Sequence, residues 1–341
     1  MQKYTFDDFL YQGDEISTLR QQIEERRMVH AVLITGETGT GKRTLAEIMA
    51  AALVCKAEKG VPCGKCSSCV LALSGEHPDI TLIEKGKPLS KDTAKGRTTI
   101  PVDDIREMIR LCSQYSFEGG NRVVLIPGAE NMTFQAQNSL LKILEEPPQN
   151  TYFILTTSHP DQLLPTVISR CRPVKMIPWE TEYIEKALTD AGNDPEISRK
   201  AAFASFGSIG NAYKLLSDSD YWKMQEEVMD HFFRNNKRSE ILRISSSWKD
   251  RKAEADLLFN ILDSNIRMLL QYRMYHDRDH APEDFPTEWQ KFASVAPLER
   301  IVYLADKISE ARKQNSFNVN FQAIIEQLLL TFTGERELWV K

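Results

Sequence analysis

The chain has 341 residues, with 43 basic and 48 acidic side chains, a net charge of −5 and a pI of about 5.8. That length allows two or three domains with substantial cores, and that charge excludes a large basic nucleic-acid footprint, so any DNA contact is expected to be local or shared with partners. The N-terminus lacks an apolar stretch of signal-peptide length and no run approaches the roughly 18 apolar residues of a membrane span, so the chain reads as cytoplasmic.

In chain order, 31–34 is a short apolar run entering a glycine-rich turn, and 43–53 is a good helix former that leads into a group of cysteines. The run 79–84 reads as a second strand, and 85–99 is polar with no apolar period. Pro101 suits the first turn of a helix over 102–115. Gly119-Gly120 breaks the chain before a buried strand at 123–126; a helix over 134–146 ends at Pro147-Pro148, and 152–157 is another strand. Strands alternating with helices predict a parallel sheet covered on both faces. Beyond Trp179 the strand signals stop. Three short helices are expected at 182–191, 195–206 and 210–216, then longer ones at 221–233, 239–248, 253–275, 298–313 and 320–332, with a loop at 277–286. The aromatics of this half, among them Phe232, Trp248, Phe259, Tyr303, Phe321 and Phe332, are expected to pack in helices rather than stack on bases.

Gly36, Gly39, Gly41 and Lys42 satisfy the phosphate-loop pattern G-x-x-x-x-G-K-[ST] up to its last position, where Arg43 replaces the hydroxyl that holds Mg²⁺. Thr44 follows about 100° further round the helix and is expected to point away from the metal position. Backbone N–H groups at a helix N-terminus stabilise phosphate without side chains, so ATP binding without hydrolysis is open. Equally open is a plain strand-to-helix connection in which Arg43 pairs with Glu47, four residues on.

Cys55, Cys63, Cys66 and Cys69 have the spacing C-x7-C-x2-C-x2-C, whereas Cys112 and Cys171 stand alone. Successive C-x-x-C pairs bring thiolates onto one tetrahedral Zn²⁺, and four of them would close the shell, making the ion structural rather than catalytic. Disulfides are the competing reading, disfavoured by a reducing cytosol and by the crowded spacing.

Five segments in this order resemble the δ′ family of bacterial replicative clamp-loader subunits, within the AAA+ superfamily. They are His30-Ala31, the cysteine insertion after the phosphate-loop helix, the stretch NSLLKILEEPP from Asn138 to Pro148, Ser169-Arg170-Cys171, and Asn318-Val319-Asn320. The resemblance implies an α/β RecA-like AAA+ parallel-sheet domain over 1–178 with a zinc module at 55–69, a small helical lid over 179–218, and an all-helical oligomerisation collar over 219–341.

The resemblance also implies a set of catalytic positions, and several are altered in this sequence. The strand 123–126 runs into Pro127-Gly128 where adjacent acids should order Mg²⁺ and water, leaving Glu130 displaced and read as a surface acid. Gly207-Ser208-Ile209-Gly210 has a glycine where active relatives carry an arginine for the γ-phosphate. Thr157 and Ser158 match the position that senses phosphate at the end of the fourth strand, or merely cap that strand. Arg170, in the Ser-Arg-Cys motif, is implied to act in trans on a neighbouring subunit's ATP, and a permanently charged guanidinium suits a transferring phosphoryl group.

The implied partners are γ/τ-type ATPase subunits and the δ subunit, with the sliding clamp and primed DNA engaged through the complex. The expected function is that of a non-hydrolysing, trans-activating subunit. The alternatives are an active ATPase subunit and, more distantly, a zinc-dependent DNA-binding regulator. The basic stretch Lys85, Lys87, Lys91, Lys95 and Arg97 reads as a solvated loop or as a contact for phosphates or an acidic partner.

Overall fold

Alternation of side chains along short β-branched runs decides the architecture of the N-terminal half. In the computed structural model, which describes residues 5–58, 62–90, 97–114, 116–117, 120–233, 238–276, 296–317 and 319–339, five strands form one sheet. They are β1 (Ala31–Thr35), β2 (Ile80–Leu82), β3 (Arg122–Ile126), β4 (Thr151–Thr157) and β5 (Arg172–Lys175), in the order β2-β3-β4-β1-β5. Every pairing is parallel. Val32, Ile34, Val123, Leu125, Ile154 and Val174 belong to one core, while Ala31, Leu33, Val124, Ile126, Phe153 and Leu155 belong to a second on the opposite face. Helices α1 (Asp14–Glu24) and α2 (Lys42–Leu53) close the first core; α4 (Val102–Cys112), α5 (Phe134–Glu145) and the short α6 (Pro165–Ile168) close the second. The fold is the expected parallel sheet with helices on both faces, and the glycine-rich loop lies between β1 and α2.

Several elements have no counterpart in the sequence pattern. The 3₁₀ helix Phe6–Gln12 and α1 precede the first strand, and α3 (Ser67–Ser74) lies within the cysteine insertion. Strand β5 was also not anticipated: it is four residues long, contains Pro173, and bonds only to β1 at the sheet edge, where a missing N–H is tolerated. Helix α4 stops at Cys112, short of the anticipated 115, and Tyr115 lies outside the described residues. Its Asp104 is buried and accepts the N–H groups of Leu89 (3.1 Å) and Ser90 (2.8 Å), which ties down the start of the polar stretch. Of the basic residues there, Lys87 is paired with Glu84; Lys91 and Lys95 lie outside the described residues.

The described residues divide into two units, Met1–Tyr213 and Lys214–Lys341. The first also holds α7 (Thr181–Asp190), α8 (Pro195–Ala204) and the start of α9 (Ile209–Ser217). The second contains α10 (Ser219–Val228), a π turn (Met229–Phe233), α11 (Arg238–Ser247), α12 (Ala255–His276), α13 (Leu298–Ser316) and α14 (Phe321–Trp339). Phe232 and Phe233 meet Phe332 edge-on at 5.5 and 5.3 Å between centroids, and Arg251 lies over the buried Trp248 ring at 4.1 Å. Tyr303 departs from the anticipated core: it is exposed on α13, with the Lys307 ammonium 5.5 Å from its ring centre. The loop anticipated at 277–286 and Asn318 fall outside the described residues.

Candidate functional site: a phosphate-loop cavity and a four-cysteine cluster

The loop between β1 and α2 folds as its glycines require. Gly39 and Gly41 hold left-handed φ values of +82° and +96°, which a side chain would strain, and a Cβ on Gly39 would sit 2.1 Å from the Ser208 hydroxyl. Each carbonyl from Gly36 to Gly41 accepts a hydrogen bond. The Lys42 ammonium donates to Gly36 O (2.8 Å) and Glu37 O (2.6 Å), and the Ser208 hydroxyl to Thr38 O (3.0 Å). Gly210 N–H donates to Gly39 O (2.9 Å), the Trp179 indole to Thr40 O (2.8 Å), and Leu45 N–H to Gly41 O (2.9 Å). Backbone polar groups this fully paired hold the loop in one shape. Burial lowers the Lys42 pKa, opposed by the charges of Glu130 and Glu37.

The residues that depart from the expected catalytic pattern make contacts of another kind. The Arg43 guanidinium pairs with Glu47 (2.9 Å), as its spacing suggested, and also with Glu84 (2.6 Å) just beyond β2. Gly128, at the end of β3, is left-handed (φ +66°), its N–H donating to the Thr156 hydroxyl at 3.2 Å. Glu130 is not the surface acid its position suggested. It is half-buried; Oε1 accepts the Ser158 N–H at 3.4 Å, while Oε2 is wholly buried with no hydrogen-bond partner. Gly210 fits because a Cβ there would come within 3.2 Å of Gly39 Cα. Glycine at this position therefore lets α9 close on the phosphate loop by backbone contact.

Above the loop is a cavity of about 740 Å³. Gly39, Gly41 and Lys42 line it, together with Arg43, Thr44, Pro127 and Gly128. From β4 the wall takes Thr156 and Ser158. Thr157 is fully buried, its hydroxyl accepting the His159 N–H at 3.0 Å, because alternate residues of a strand face opposite ways. Ile209 and Gly210 add to the wall from α9, and further residues come from elements outside the expected site: Asp7, Asp8, Phe9 and Tyr11 of the 3₁₀ helix, Trp179 ahead of α7, and Tyr183 and Lys186 within it. Tyr11 and Tyr183 stack with centroids 3.7 Å apart. One signal could have found the first group, since Thr5 and Asp8 form a capping box that marks a helix start ahead of α1.

Three of the five segments of the family resemblance meet in space. The His30 ring Nε2 bonds to Leu144 O at 2.9 Å, and the Arg170 guanidinium binds Glu145, with Nε 2.8 Å from Oε1. Arg170 Nη1 also donates to Thr166 O (2.8 Å), its side chain is 30% exposed, and it takes no part in lining the chain's own cavity. Beside it, Cys171 is buried and its pKa is pushed up to about 12 by that burial, as the Cys112 pKa is to about 11, so neither isolated thiol is reactive.

The sulfurs of Cys55, Cys63, Cys66 and Cys69 all lie within 4.8 Å of one another. Tetrahedral Zn–S bonds of about 2.3 Å place sulfurs roughly 3.8 Å apart, close to the 3.9 Å between Cys63 and Cys69. A disulfide would need about 2.05 Å, and all four cysteines are free. Cys55 follows the end of α2 and Cys66 caps α3, its sulfur accepting the Cys69 N–H at 3.4 Å. Backbone N–H groups of Lys65 and Cys66 hold the Cys63 thiol down to about 6, whereas burial raises Cys69. The donor set fits a metal ion, and the cluster packs on α2 through Cys55 and Ala72.

Comparison with known proteins adds a family to this geometry. Residues 11–180 match the family model described as "DNA polymerase III, delta subunit". The chain is 26% identical over 317 residues to DNA polymerase III subunit delta′ of Bacillus subtilis (strain 168), covering 92% of this chain and 93% of that protein. It is 35% identical over 204 residues to subunit delta′ of Escherichia coli (strain K12), covering 58% of each. It is also 25% identical over 334 residues to DNA polymerase III subunit gamma of Buchnera aphidicola subsp. Acyrthosiphon pisum, covering 94% of this chain and 89% of that protein.

Proposed function

The chain belongs to the δ′ family of DNA polymerase III subunits, and from that premise we propose that it serves a bacterial clamp loader as a subunit that does not hydrolyse ATP itself. It joins γ/τ-type ATPase subunits and δ in the cytoplasm, and through that complex helps load the sliding clamp onto primed DNA. One observation carries the reading: the phosphate loop is folded and closed while Arg43, Pro127-Gly128 and Gly210 occupy the metal, water and γ-phosphate positions. Arg170 is the residue that acts in trans. Glu145 holds its guanidinium at the end of the short α6, and the arginine exchanges that carboxylate for the phosphates on a neighbouring subunit.

Three domains serve this role: residues 1–178 as the AAA+ module, 179–218 as the lid and 219–341 as the collar. Leu298, Val302 and Phe317, all exposed around α13, supply apolar surface for subunit contact. The metal is Zn²⁺, held by Cys55, Cys63, Cys66 and Cys69 in a closed structural site. Gly39, Gly41 and Lys42, which line the cavity, retain with Gly36 of the same loop the capacity to hold a nucleotide's phosphates.

Two measurements test the proposal. Mixing the purified chain with clamp-loader γ and δ subunits should give a complex whose mass includes this chain. Alone, the chain should show no Mg²⁺-dependent ATP turnover. A turnover that Lys42→Ala abolishes, or failure to join the complex, would overturn it.

A further inference from the structure

We infer that the phosphate-loop cavity takes a nucleotide's phosphate tail as a metal-free anion, with the Arg43 guanidinium standing in for the divalent cation. This deepens the non-hydrolysing reading and rests on it. The donor set around the loop does not fit Mg²⁺, which demands an octahedral shell of oxygens anchored by carboxylates or a loop hydroxyl. Arg43 holds the hydroxyl position, and Pro127 and Gly128 hold the acidic ones. Of the carboxylates elsewhere in the wall, Asp7 is paired with Arg20 at 2.5 Å and Asp8 is spent on the Thr5 N–H at 2.5 Å, while Asp190 closes the far end of α7.

What does fit is an anion. Lys42 and Arg43 are adjacent cations on the cavity wall at the N-terminus of a twelve-residue helix, where the backbone dipole favours negative charge. The cavity has the volume of a nucleotide site, about 740 Å³, and its wall includes the paired rings of Tyr11 and Tyr183. Arg43 is anchored rather than loose. Glu84, whose side chain is only 12% exposed, fixes one edge of its guanidinium, while the Glu47 partner is a half-exposed i,i+4 pair of the weak kind that a phosphate displaces readily. Mg²⁺ in solution neutralises the same phosphate oxygens that these two cations would read, so added metal competes with the site instead of completing it.

The experiment is a calorimetric titration of ATP and of ADP onto the full chain, in EDTA and again in millimolar Mg²⁺. Binding in EDTA should be at least as tight as in Mg²⁺. Arg43→Ala should weaken it about tenfold in EDTA, and Arg43→Ser, which restores the hydroxyl, should turn Mg²⁺ into an aid to binding. Should either variant lose its thermal unfolding transition, the wild-type comparison decides alone. Wild-type binding that tightens tenfold or more with Mg²⁺, or no binding in either buffer, overturns the inference and leaves the non-hydrolysing role standing. Release of inorganic phosphate during the same titrations would overturn that role instead.

Discussion

The cysteine cluster and the phosphate-loop cavity both begin as short motifs on either side of α2, and they differ in which half of the motif survives. In the cluster all four donors are present and the backbone supplies only short turns and N–H···S bonds. In the cavity each loop carbonyl is paired and Lys42 is kept, while the proposed reading has the metal, water and γ-phosphate positions filled by other residues. A metal site is defined by its ligands and a phosphate cradle by its main chain, so losing side chains ends one and leaves the other's shape intact.

The largest expected effect is on the cluster. Purified protein should carry one Zn²⁺ per chain, and Cys69→Ser should release it and lower the thermal midpoint sharply, because a structural zinc contributes on the order of 10 kcal/mol of local folding free energy. Metal analysis finding no zinc and four freely alkylated thiols would break the comparison at its firmer side.

Next comes Arg170, the residue proposed to act on a neighbouring subunit's ATP. Arg170→Ala should leave assembly intact and slow clamp- and DNA-stimulated ATP hydrolysis by the reconstituted loader. Such fingers are worth about 10³–10⁵ in kcat, with a smaller net loss where other sites keep theirs. Lysine should rescue poorly, lacking the planar fork. Equal hydrolysis at equal assembly would remove Arg170 from the mechanism.

A smaller effect separates one loss from three. Arg43→Ser alone should not restore hydrolysis, since each remaining loss withholds roughly 2.7–4 kcal/mol of transition-state stabilisation. Multiple turnovers by that variant would show that Pro127-Gly128 and Gly210 are no obstacle. Last, Gly39→Ala should cost about 1–3 kcal/mol, from a left-handed φ and a Cβ aimed at Ser208, read as a fall in thermal midpoint. An unchanged midpoint would mean the loop is not held by α9.

Local patterns were enough for much of this protein. The alternating runs of β1, β3 and β4 specify two buried faces, the cysteine spacing specifies converging thiolates, and Arg43 declares the hydroxyl lost, because each depends on residues near in sequence. Tertiary structure decided the rest, through contacts between residues far apart in the chain. It tied Arg43 to Glu84, turned Thr156 rather than Thr157 into the cavity, half-buried Glu130 with its Oε2 sealed from solvent, and explained Gly210 by the approach of Gly39. It joined Arg170 to Glu145 and brought the N-terminal 3₁₀ helix to the cavity wall. Composition and periodicity carry no record of such meetings, since what a side chain faces across a cleft is set by how the sheet and its helices pack.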